Sequence, residues 1–492
     1  MSRRLYCGQE LREIMGFQDA NRAGTPTLNR LDAEDVATIH EASLRLLEES
    51  GIRFDHPRAR RLFENHGASV SGENIVQIPP GIVEEAVEDA PDSFQLHGRN
   101  ADNTVGIGES NRPIRAPGYG SPYVQFGAGS RRRARLSDYE DLVQLAHESD
   151  AITCTGYSIC EPTDVDESTR HYEMLGRLLK GTDKPILGPV SGSHRAQTCM
   201  DMVGIAVGDP GLTKPYVAGL FNTAPPRSMG REMLEGLFTY AEHGQPLIVS
   251  SFVTAGTSGP PAVAPLVVQA NAENLAAIAL TQLVNRGTPV VYGLPGSTVD
   301  TTHGSLAIGN PEASVFASVA AQMGRYYELP SRGGGGLTDA KQLDYQSGFE
   351  SAFTQLVTGL SGVDFVLHGA GILASYSTIS PEKFLLDCES IRYLDRFDQS
   401  IVVEDAHLSP EQLTAADSAG HFLAEETPAG ARPLFEPELV DKRSYREWDQ
   451  SGRESLDESV SGRVAEILAK SEPPRMAADT RRDLDRYIER QK

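Results

Sequence analysis

Between residues 122 and 395, short apolar runs alternate with amphipathic stretches of helical periodicity, and the unit repeats eight times. Strict alternation of strand and helix predicts an α/β protein with a parallel sheet and helices packed outside it. Eight repeats are the number that closes a (β/α)8 TIM barrel, and the length of the region fits such a barrel. The predicted strands are Tyr123–Phe126, Ile152–Ile159, Pro185–Val190, Pro215–Phe221, Pro246–Val253, Pro289–Leu294, Glu328–Arg332 and Asp364–Ala370.

An open, doubly wound sheet is the competing α/β architecture. That fold usually carries a glycine-rich nucleotide-binding turn after its first strand. The candidate here, Gly127-Ala-Gly129, runs into Ser130 and three arginines, and it lacks both the third glycine and the acidic partner. We therefore favour the closed barrel.

Regions of different pattern flank the barrel. Residues 1–115 combine short helices with short extended pieces and predict an α+β cap domain, while residues 116–398 form the predicted catalytic barrel. Residues 399–492 are charged, contain the only tryptophan, Trp448, and predict a helical extension. The amino-terminal region shows no catalytic spacing of residues.

Charge and cysteine usage exclude several classes of protein. The 45 Lys and Arg against 68 Asp and Glu give a formal charge of −23, which repels nucleic acids and anionic membranes. The five cysteines are odd in number and irregular in spacing, so we interpret them as reduced thiols. Residues 1–16 lack the apolar stretch of a secretory signal, and no apolar run approaches the roughly 18 residues of a membrane span. These features predict a cytoplasmic protein.

Chemistry in a barrel takes place at the carboxyl ends of its strands. Polar and aromatic side chains follow most of the predicted strands, and we expect several of them to line the site. They include Tyr157, Glu161, His194, Phe221, Phe252, His303, Arg332, Asp339 and His368.

The run Gly333–Gly336 is the most unusual local feature of the sequence. Glycine permits positive φ angles and the close approach of a ligand to the backbone. Because the run lies at a predicted strand end, we expect a large group to press on the backbone there; a flexible loop tip is the alternative. A phosphate cradle is disfavoured, since Leu337 rather than a Lys-Ser/Thr pair follows.

The sequence contains no familiar metal or nucleophile motif. Cys154, Cys160, Cys199 and His194 lie near the second and third predicted strands, but no C-x-x-C, H-x-x-x-H or H-E-x-x-H spacing occurs. We interpret Cys154 and Cys199 as buried structural thiols and predict no metal site. A G-x-S-x-G nucleophile elbow is also absent.

Short motifs spread over almost the whole chain form a recognisable set. They are Leu31-Asp-Ala-Glu-Asp-Val36, Gln77-Ile-Pro-Pro80, Asn271-Ala-Glu-Asn-Leu275, Gly309-Asn-Pro-Glu312, Thr338-Asp-Ala-Lys341, Asp344-Tyr-Gln346 and His421-Phe-Leu423. As a set, over about residues 25–485, they resemble the trimethylamine methyltransferase (MttB) superfamily.

The resemblance implies a barrel enzyme that moves a methyl group from a methylated amine to the cobalt of a corrinoid carried by a separate partner protein. No cofactor would then be bound tightly to this chain, and the corrinoid would contact the Gly333–Gly336 run. Archaeal trimethylamine enzymes of this family carry pyrrolysine, which we would expect near Gly333–Asp339, where this chain has only standard residues. It therefore resembles the pyrrolysine-lacking branch, which acts on glycine betaine and related quaternary amines.

The chemistry of a quaternary amine agrees with this assignment. The leaving group is a neutral tertiary amine and needs no acid, so the enzyme has mainly to position and desolvate its substrate. No catalytic residue is assigned. A trimethylammonium group prefers aromatic faces or carboxylates. The candidates for it are Tyr157, Phe221, Phe252, Tyr292, Tyr376, Glu161 and Asp339, and those for a betaine carboxylate are Arg332, His194, His303 and His368.

Two alternatives remain open at the level of sequence. The same fold could use a methylated sulfur donor or a folate acceptor, or the barrel could be a non-catalytic binding partner in such a complex. We also expect a homo-oligomer, and we expect the acidic surface to dock against basic patches of the corrinoid protein.

Overall fold

A computed structural model of the protein describes residues 27–72, 74–109, 112–127, 129–399, 401, 408 and 434–491. Its centre is a seven-stranded, all-parallel sheet. In spatial order the strands are Ile114–Arg115, Phe365–Leu367, Ser331–Gly334, Val290–Gly293, Leu247–Ser250, Val217–Asn222 and Ile186–Gly188.

The segment 152–155 closes this sheet into a barrel. Thr155 forms a parallel bridge to Ile186 on one side. On the other side the amides of Thr153 and Cys154 donate to the Arg115 carbonyl, at 3.0 and 3.1 Å. With this segment as the second strand, eight strands follow one another in chain order around the barrel, and the (β/α)8 prediction is confirmed.

The first barrel strand is not the one that the sequence predicted. Ile114–Arg115 occupies that position, and Tyr123–Val124 instead pairs with Thr378–Ile379 and Arg132–Arg133 in a small sheet above the barrel. A two-residue strand carries no periodicity, whereas the Tyr123–Phe126 run has the composition of a strand. The other seven predicted strands are confirmed within a few residues.

Each barrel strand is followed by a helix, as predicted. The starts follow common rules: Asp344 accepts a hydrogen bond from the Ser347 amide, and proline takes the first turn after Asn310 and Ser380. The eight helices are Leu136–Glu148, Arg170–Gly181, Ser193–Val207, Arg231–Glu242, Val263–Val284, Pro311–Tyr326, Tyr345–Leu360 and Pro381–Phe397.

The amino-terminal region packs on the side and the base of the barrel. Its helices are Ala33–Glu49, Pro57–Asn65 and Pro80–Asp89, and its strands Ser69–Ser71, Ile75–Gln77 and Ile52–Phe54 form a sheet in that order. The last of them pairs with Ser228–Met229, which follows the fourth barrel strand. A hairpin, Phe94–Leu96 and Val105–Ile107, places Phe94, Leu96 and Ile107 in the apolar cluster inside the barrel. The amino-terminal end of the barrel is therefore filled, which leaves the carboxyl end for ligands.

Three helices of the carboxyl-terminal region, Tyr445–Gln450, Leu456–Lys470 and Ala478–Gln491, follow the barrel, and the last two pack against its outer helices. The helical extension is thus present in the part of the chain that the structure describes. The His421-Phe-Leu423 motif, residues 1–16 and Cys7 lie outside the described residues. The boundaries at 115 and 398 stay predictions.

The helix Val263–Val284 has the length and composition of a membrane span, and 78% of its most apolar window is buried inside the protein. It lies between the helices Ala33–Glu49 and Pro80–Asp89 and the barrel. Its buried polar residues Asn271 and Glu273 bond to neighbouring elements. It is the central packing helix of the fold.

Gly324 marks the closest approach of a helix to the seventh strand. A Cβ atom at this position would lie 2.8 Å from Ser331 Cβ and 3.0 Å from the Leu329 carbonyl oxygen. We expect Gly324→Ala to lower the free energy of unfolding by about 2 kcal/mol in urea titrations, because the helix must move outward. Gly348→Ala is the matched helical control: it meets no atom within 4 Å and should raise stability by up to about 1 kcal/mol. Shifts in the same direction for both variants would contradict this reading.

A buried histidine joins the cap to the barrel. His40 Nδ1 lies 3.1 Å from the Tyr327 hydroxyl, and burial lowers the pKa of His40 from 6.5 to about 4. Because His40 has a lower pKa in the folded state, protonation favours the unfolded state. The contribution of the neutral ring to stability is therefore complete above pH 6.5 and is lost as the pH falls toward 4. Between pH 7 and pH 5 we expect the wild type to lose about 2 kcal/mol more free energy of unfolding than His40→Gln does. Urea titrations of both proteins at the two pH values measure this difference. Parallel pH profiles for the two proteins would refute the assignment.

Candidate active site at the carboxyl end of the barrel

Arg332, on the seventh strand, reaches across the inside of the barrel. In the sheet register Asn222, Ser250, Gly293 and Arg332 lie side by side on four adjacent strands. A Cβ atom at Gly293 would lie 3.1 Å from Arg332 Cδ and 2.7 Å from Ser250 Oγ. The inward-facing glycine therefore makes the room that the arginine side chain occupies.

The Arg332 guanidinium group is buried, and no described acidic side chain pairs with it. The residue is 4% exposed, and its Nε and Nη1 have no hydrogen-bond partner in the described parts of the chain. Burial lowers the pKa of Arg332 to about 10, so it remains a cation at neutral pH. The Ser250 hydroxyl nearby also has no partner among the described residues. A buried cation with unused donors is costly, and an anionic ligand group placed here would offset that cost.

Two ring side chains, His368 and Tyr376, lie close enough to Arg332 for its charge to affect their pKa values. The Tyr376 ring lies 4.5 Å from the His368 ring and 6.2 Å from the Phe252 ring. The Tyr119 amide donates to His368 Nδ1 at 3.2 Å, which places the proton of the neutral ring on Nε2. We call Phe252, Arg332, His368 and Tyr376 the arginine cluster.

Burial keeps the other titratable side chains of this cluster, His368 and Tyr376, uncharged. Burial and the Arg332 charge hold the pKa of His368 well below its ordinary value. Burial raises the pKa of Tyr376 to about 12, although Arg332 acts in the opposite direction. At neutral pH the cluster therefore presents one cation, a neutral imidazole and aromatic faces.

The backbone that carries His368 and Tyr376 is strained. His368 has φ +61°, and Ala374, Ser375 and Tyr376 follow one another at +48°, +54° and +72°. Such angles are costly in residues other than glycine and concentrate at functional sites. Asp339 holds this loop, since its Oδ1 accepts the Ser375 hydroxyl at 2.6 Å.

Asp339 also accepts the amides of Ile308 and Gly309, at 3.0 and 2.8 Å. Its two carboxylate oxygens thus join the loops that follow the sixth, seventh and eighth strands. The structure assigns Asp339 to the support of the site, rather than to the binding of a cationic methyl group that the sequence suggested.

A second feature of the barrel mouth is a cavity of about 360 Å³ beside the arginine cluster. We call it the mouth cavity; it lies at the ends of the first four strands. Tyr119 connects the two features, because it lines the cavity and its amide bonds to His368. The lining of the mouth cavity also includes Tyr157, Glu161, Arg170, His171, Arg195 and Asn222.

Comparison with known proteins identifies the family. Residues 9–492 match the profile of the family described as "Trimethylamine methyltransferase (MTTB)". The chain belongs to this family. It is 36% identical over 467 residues to a glycine betaine methyltransferase of Desulfitobacterium hafniense, covering 94% of this chain and 97% of that protein. It is 30% identical to a proline betaine:corrinoid methyltransferase of Eubacterium limosum, covering 93% and 96% of the two chains.

A solved structure supports the fold of this MTTB-family chain. The monomethylamine methyltransferase of Methanosarcina barkeri (MtmB) superposes with a TM-score of 0.50 at 12% identity and covers 98% of this chain and 92% of its own. At that identity the match shows the architecture alone.

Two aromatic candidates of the MTTB-family chain lie outside the barrel. Phe221 and Tyr292 face the apolar core between the strands and the helices, and both are fully buried there. The Tyr292 hydroxyl donates to Asn271 Oδ1 at 2.8 Å. The inward positions on these strands belong instead to Leu220 and Val291. The sequence-based roles of Phe221 and Tyr292 are not supported by this geometry.

Two histidine candidates lie on the surface. His303 is exposed, with 76% of its side chain accessible, and its Nδ1 lies 3.0 Å from Asp300 within the same loop. His194 is exposed and bonds to the Tyr172 hydroxyl at 2.8 Å, behind the mouth cavity. Neither histidine approaches the arginine cluster.

The glycine run packs against protein. A Cβ atom at Gly335 would lie 2.6 Å from Gly369 Cα, and one at Gly336 would lie 2.9 Å from Asp387 Oδ2. None of Gly333–Gly336 has a positive φ or lines the mouth cavity. Tight packing of the seventh strand against its neighbours accounts for these glycines, and the structure gives no support to a corrinoid contact there.

The four cysteines that the structure describes are core residues. Cys154, Cys160, Cys199 and Cys388 are free and buried, and burial raises the pKa of Cys199 and Cys388 to about 12. Within the described residues, no three His, Cys, Asp or Glu side chains are grouped so that they could hold a metal ion.

Proposed function

We propose that this protein transfers a methyl group from a carboxylated quaternary amine, of the glycine betaine class, to the Co(I) of a corrinoid held by a separate protein. Family membership and the relatives named for glycine betaine and proline betaine support the reaction. The observation that carries the substrate class is the buried Arg332 guanidinium, with two nitrogens unpaired among the described residues. A carboxylate is the group that such a planar fork of donors binds best.

The arginine cluster accounts for the binding of both ends of such a zwitterion. Arg332 would bind the carboxylate, and the faces of Tyr376 and Phe252 would contact the trimethylammonium group by cation–π attraction. The neutral state of His368 matters here, because an imidazolium in the same place would repel the ammonium.

The partner's corrinoid supplies a strong cobalt nucleophile. The residues of this chain hold the methyl carbon in line at the barrel mouth and exclude water from it. The carbon–nitrogen bond breaks and its electron pair stays on nitrogen, which leaves a neutral tertiary amine. No proton has to move, which agrees with a site whose side chains are buried and neutral apart from Arg332.

A carboxylated sulfonium would satisfy the same cluster, so the test must separate donors. We would follow conversion of Co(I) to methyl-Co(III) spectroscopically with glycine betaine, carnitine, proline betaine, choline, trimethylamine and dimethylsulfoniopropionate. We expect turnover with a carboxylated quaternary amine and none with choline or trimethylamine. Turnover with the sulfonium alone, or with choline as readily as with a betaine, would reject the proposal, as would inactivity with every donor.

We propose that the enzyme is cytoplasmic and forms a homo-oligomer. The exposed apolar side chains on the barrel helices support the oligomer; they are Tyr345, Phe349 and Phe397. We also propose that its acidic surface docks the corrinoid protein, so that transfer slows at high salt. Light scattering of the purified protein and transfer rates between 50 mM and 500 mM salt test these two points; a monomer or a salt-independent rate contradicts them.

A further inference from the structure

His171 is a buried histidine whose ring has no hydrogen-bond partner. It lies in the first turn of the helix Arg170–Gly181, is 5% exposed and lines the mouth cavity. Neither Nδ1 nor Nε2 has a partner among the described residues, and the same holds for Nε of the adjacent Arg170. Three polar atoms at the edge of one cavity are therefore available to a ligand.

The ring is neutral and so offers one donor and one acceptor. Burial is the main cause of its lowered pKa, which is about 4, and the charges of Arg195 and His194 act in the same direction. The T-shaped contact with the His194 ring, 5.7 Å away, and the Tyr172 ring at 3.9 Å fix its orientation. An unmade hydrogen bond at a buried polar atom destabilises the protein, and a ligand that makes both bonds removes that cost.

The charges of the cavity indicate what kind of ligand fits. Arg170 and Arg195 are matched by Glu161 and Glu167 in the lining, so the cavity carries no net charge. This argues against a phosphate or a carboxylate and for a neutral polar group that both donates and accepts. A primary carboxamide is such a group, because its NH2 donates and its carbonyl oxygen accepts.

We propose that His171, together with Arg170, binds a carboxamide side chain at the rim of the corrin ring when the partner protein presents its corrinoid at the barrel mouth. This inference rests on the proposed function. Corrin rings carry acetamide and propionamide groups around their edge, and the ring is wider than the methyl donor. A ring whose cobalt faces the arginine cluster therefore extends over the adjoining strand ends, where the mouth cavity opens. His171 is thus a positioning residue for the methyl acceptor.

The test measures binding directly, with hydroxocobalamin as the probe in isothermal calorimetry on the full-length protein. We expect His171→Phe, which keeps the ring volume, to bind hydroxocobalamin about tenfold more weakly than the wild type. His171→Gln restores a donor and an acceptor and should stay within about threefold. His66→Phe, at an exposed histidine of the cap, is the matched control and should bind normally.

Arg170→Met is a second variant that keeps the inference falsifiable if His171→Phe does not fold, and it should weaken hydroxocobalamin binding severalfold. Glycine betaine binding should be unchanged in all these variants. Wild-type affinity for hydroxocobalamin in both His171→Phe and Arg170→Met, or no binding by the wild type, overturns the inference. Failure of the proposed function would look different: the wild-type enzyme would then transfer no methyl group from any amine to the corrinoid protein.

Discussion

Replacing Arg332 by methionine is expected to lower kcat/KM for glycine betaine by about 100- to 1,000-fold. The variant keeps an unbranched apolar stem but removes the charge that we assign to the substrate carboxylate. Loss of one partner of a buried, hydrogen-bonded charge pair costs about 2–5 kcal/mol, and 1.4 kcal/mol corresponds to a factor of ten. Steady-state corrinoid methylation over a range of betaine concentrations measures the effect.

Stability separates this role from a structural one. In the ligand-free protein Arg332 is a buried cation with two nitrogens that no described residue satisfies. In urea titrations Arg332→Met should therefore have a free energy of unfolding about 1 kcal/mol or more above that of the wild type, while it loses activity. Arg332→Lys keeps the charge without the planar fork and should fall between the two in activity.

The control for this series is Arg286→Met, at an exposed arginine that pairs with Asp89 on the cap. It should leave both kcat/KM and the unfolding midpoint close to wild type. A less stable Arg332→Met protein with no loss of activity toward glycine betaine would show that the guanidinium only supports the fold.

The barrel was predictable because its signal is local and repeated. Each helix is a stretch of 12 residues or more, and the longer strands such as Val217–Asn222 are bounded by turn residues, so pattern and composition locate them. The two strands that close the barrel were harder to predict. The first strand spans two residues and the second contributes a single bridge, and elements this short are defined by their neighbours rather than by their own sequence.

The site was predicted in part, for a geometric reason. The strand-end rule selected Arg332, His368 and Phe252, and the preference of a trimethylammonium group for aromatic faces added Tyr376, whose ring lies beside those of His368 and Phe252. It could not tell which face of a strand a residue occupies, because a shift of one position exchanges inside and outside. Phe221 fell on the wrong side for this reason, one position from the inward Leu220.

His171 was missed because it lies on a helix. The strand-end rule never considers helical residues, and a histidine inside an amphipathic stretch is unremarkable in sequence. Its signal is the absence of partners around a buried ring, which exists only in three dimensions. Asp339 is the opposite case: its position at a strand end was right, but its oxygens are used by the loops that they hold together.

Glu273 is expected to be as important for the fold as Arg332 is for the substrate. Its carboxylate is fully buried and accepts the hydroxyls of Thr223 and Ser251, both at 2.6 Å, the Arg227 amide at 2.7 Å and the Gln269 side chain at 3.0 Å. Glu273→Ala leaves these four donors unsatisfied and should lower the free energy of unfolding by about 4 kcal/mol in urea titrations.

The Glu273→Gln variant tests whether the acceptor or the charge of this carboxylate matters. The two hydroxyls bond to the same oxygen, Oε2, and a hydroxyl can also accept, so an amide NH2 in that place should cost only about 1–2 kcal/mol. Because Thr223 and Ser251 follow the fourth and fifth strands, Glu273→Ala should also reduce kcat/KM for glycine betaine, whereas Glu273→Gln should largely retain it. Glu466→Ala, at a hydrogen-bonded but exposed acid, should leave the free energy of unfolding close to that of the wild type. If Glu273→Ala were as mild as Glu466→Ala, the buried carboxylate would not be what fixes these two strand ends, and the shape of the barrel mouth would have to come from the backbone alone.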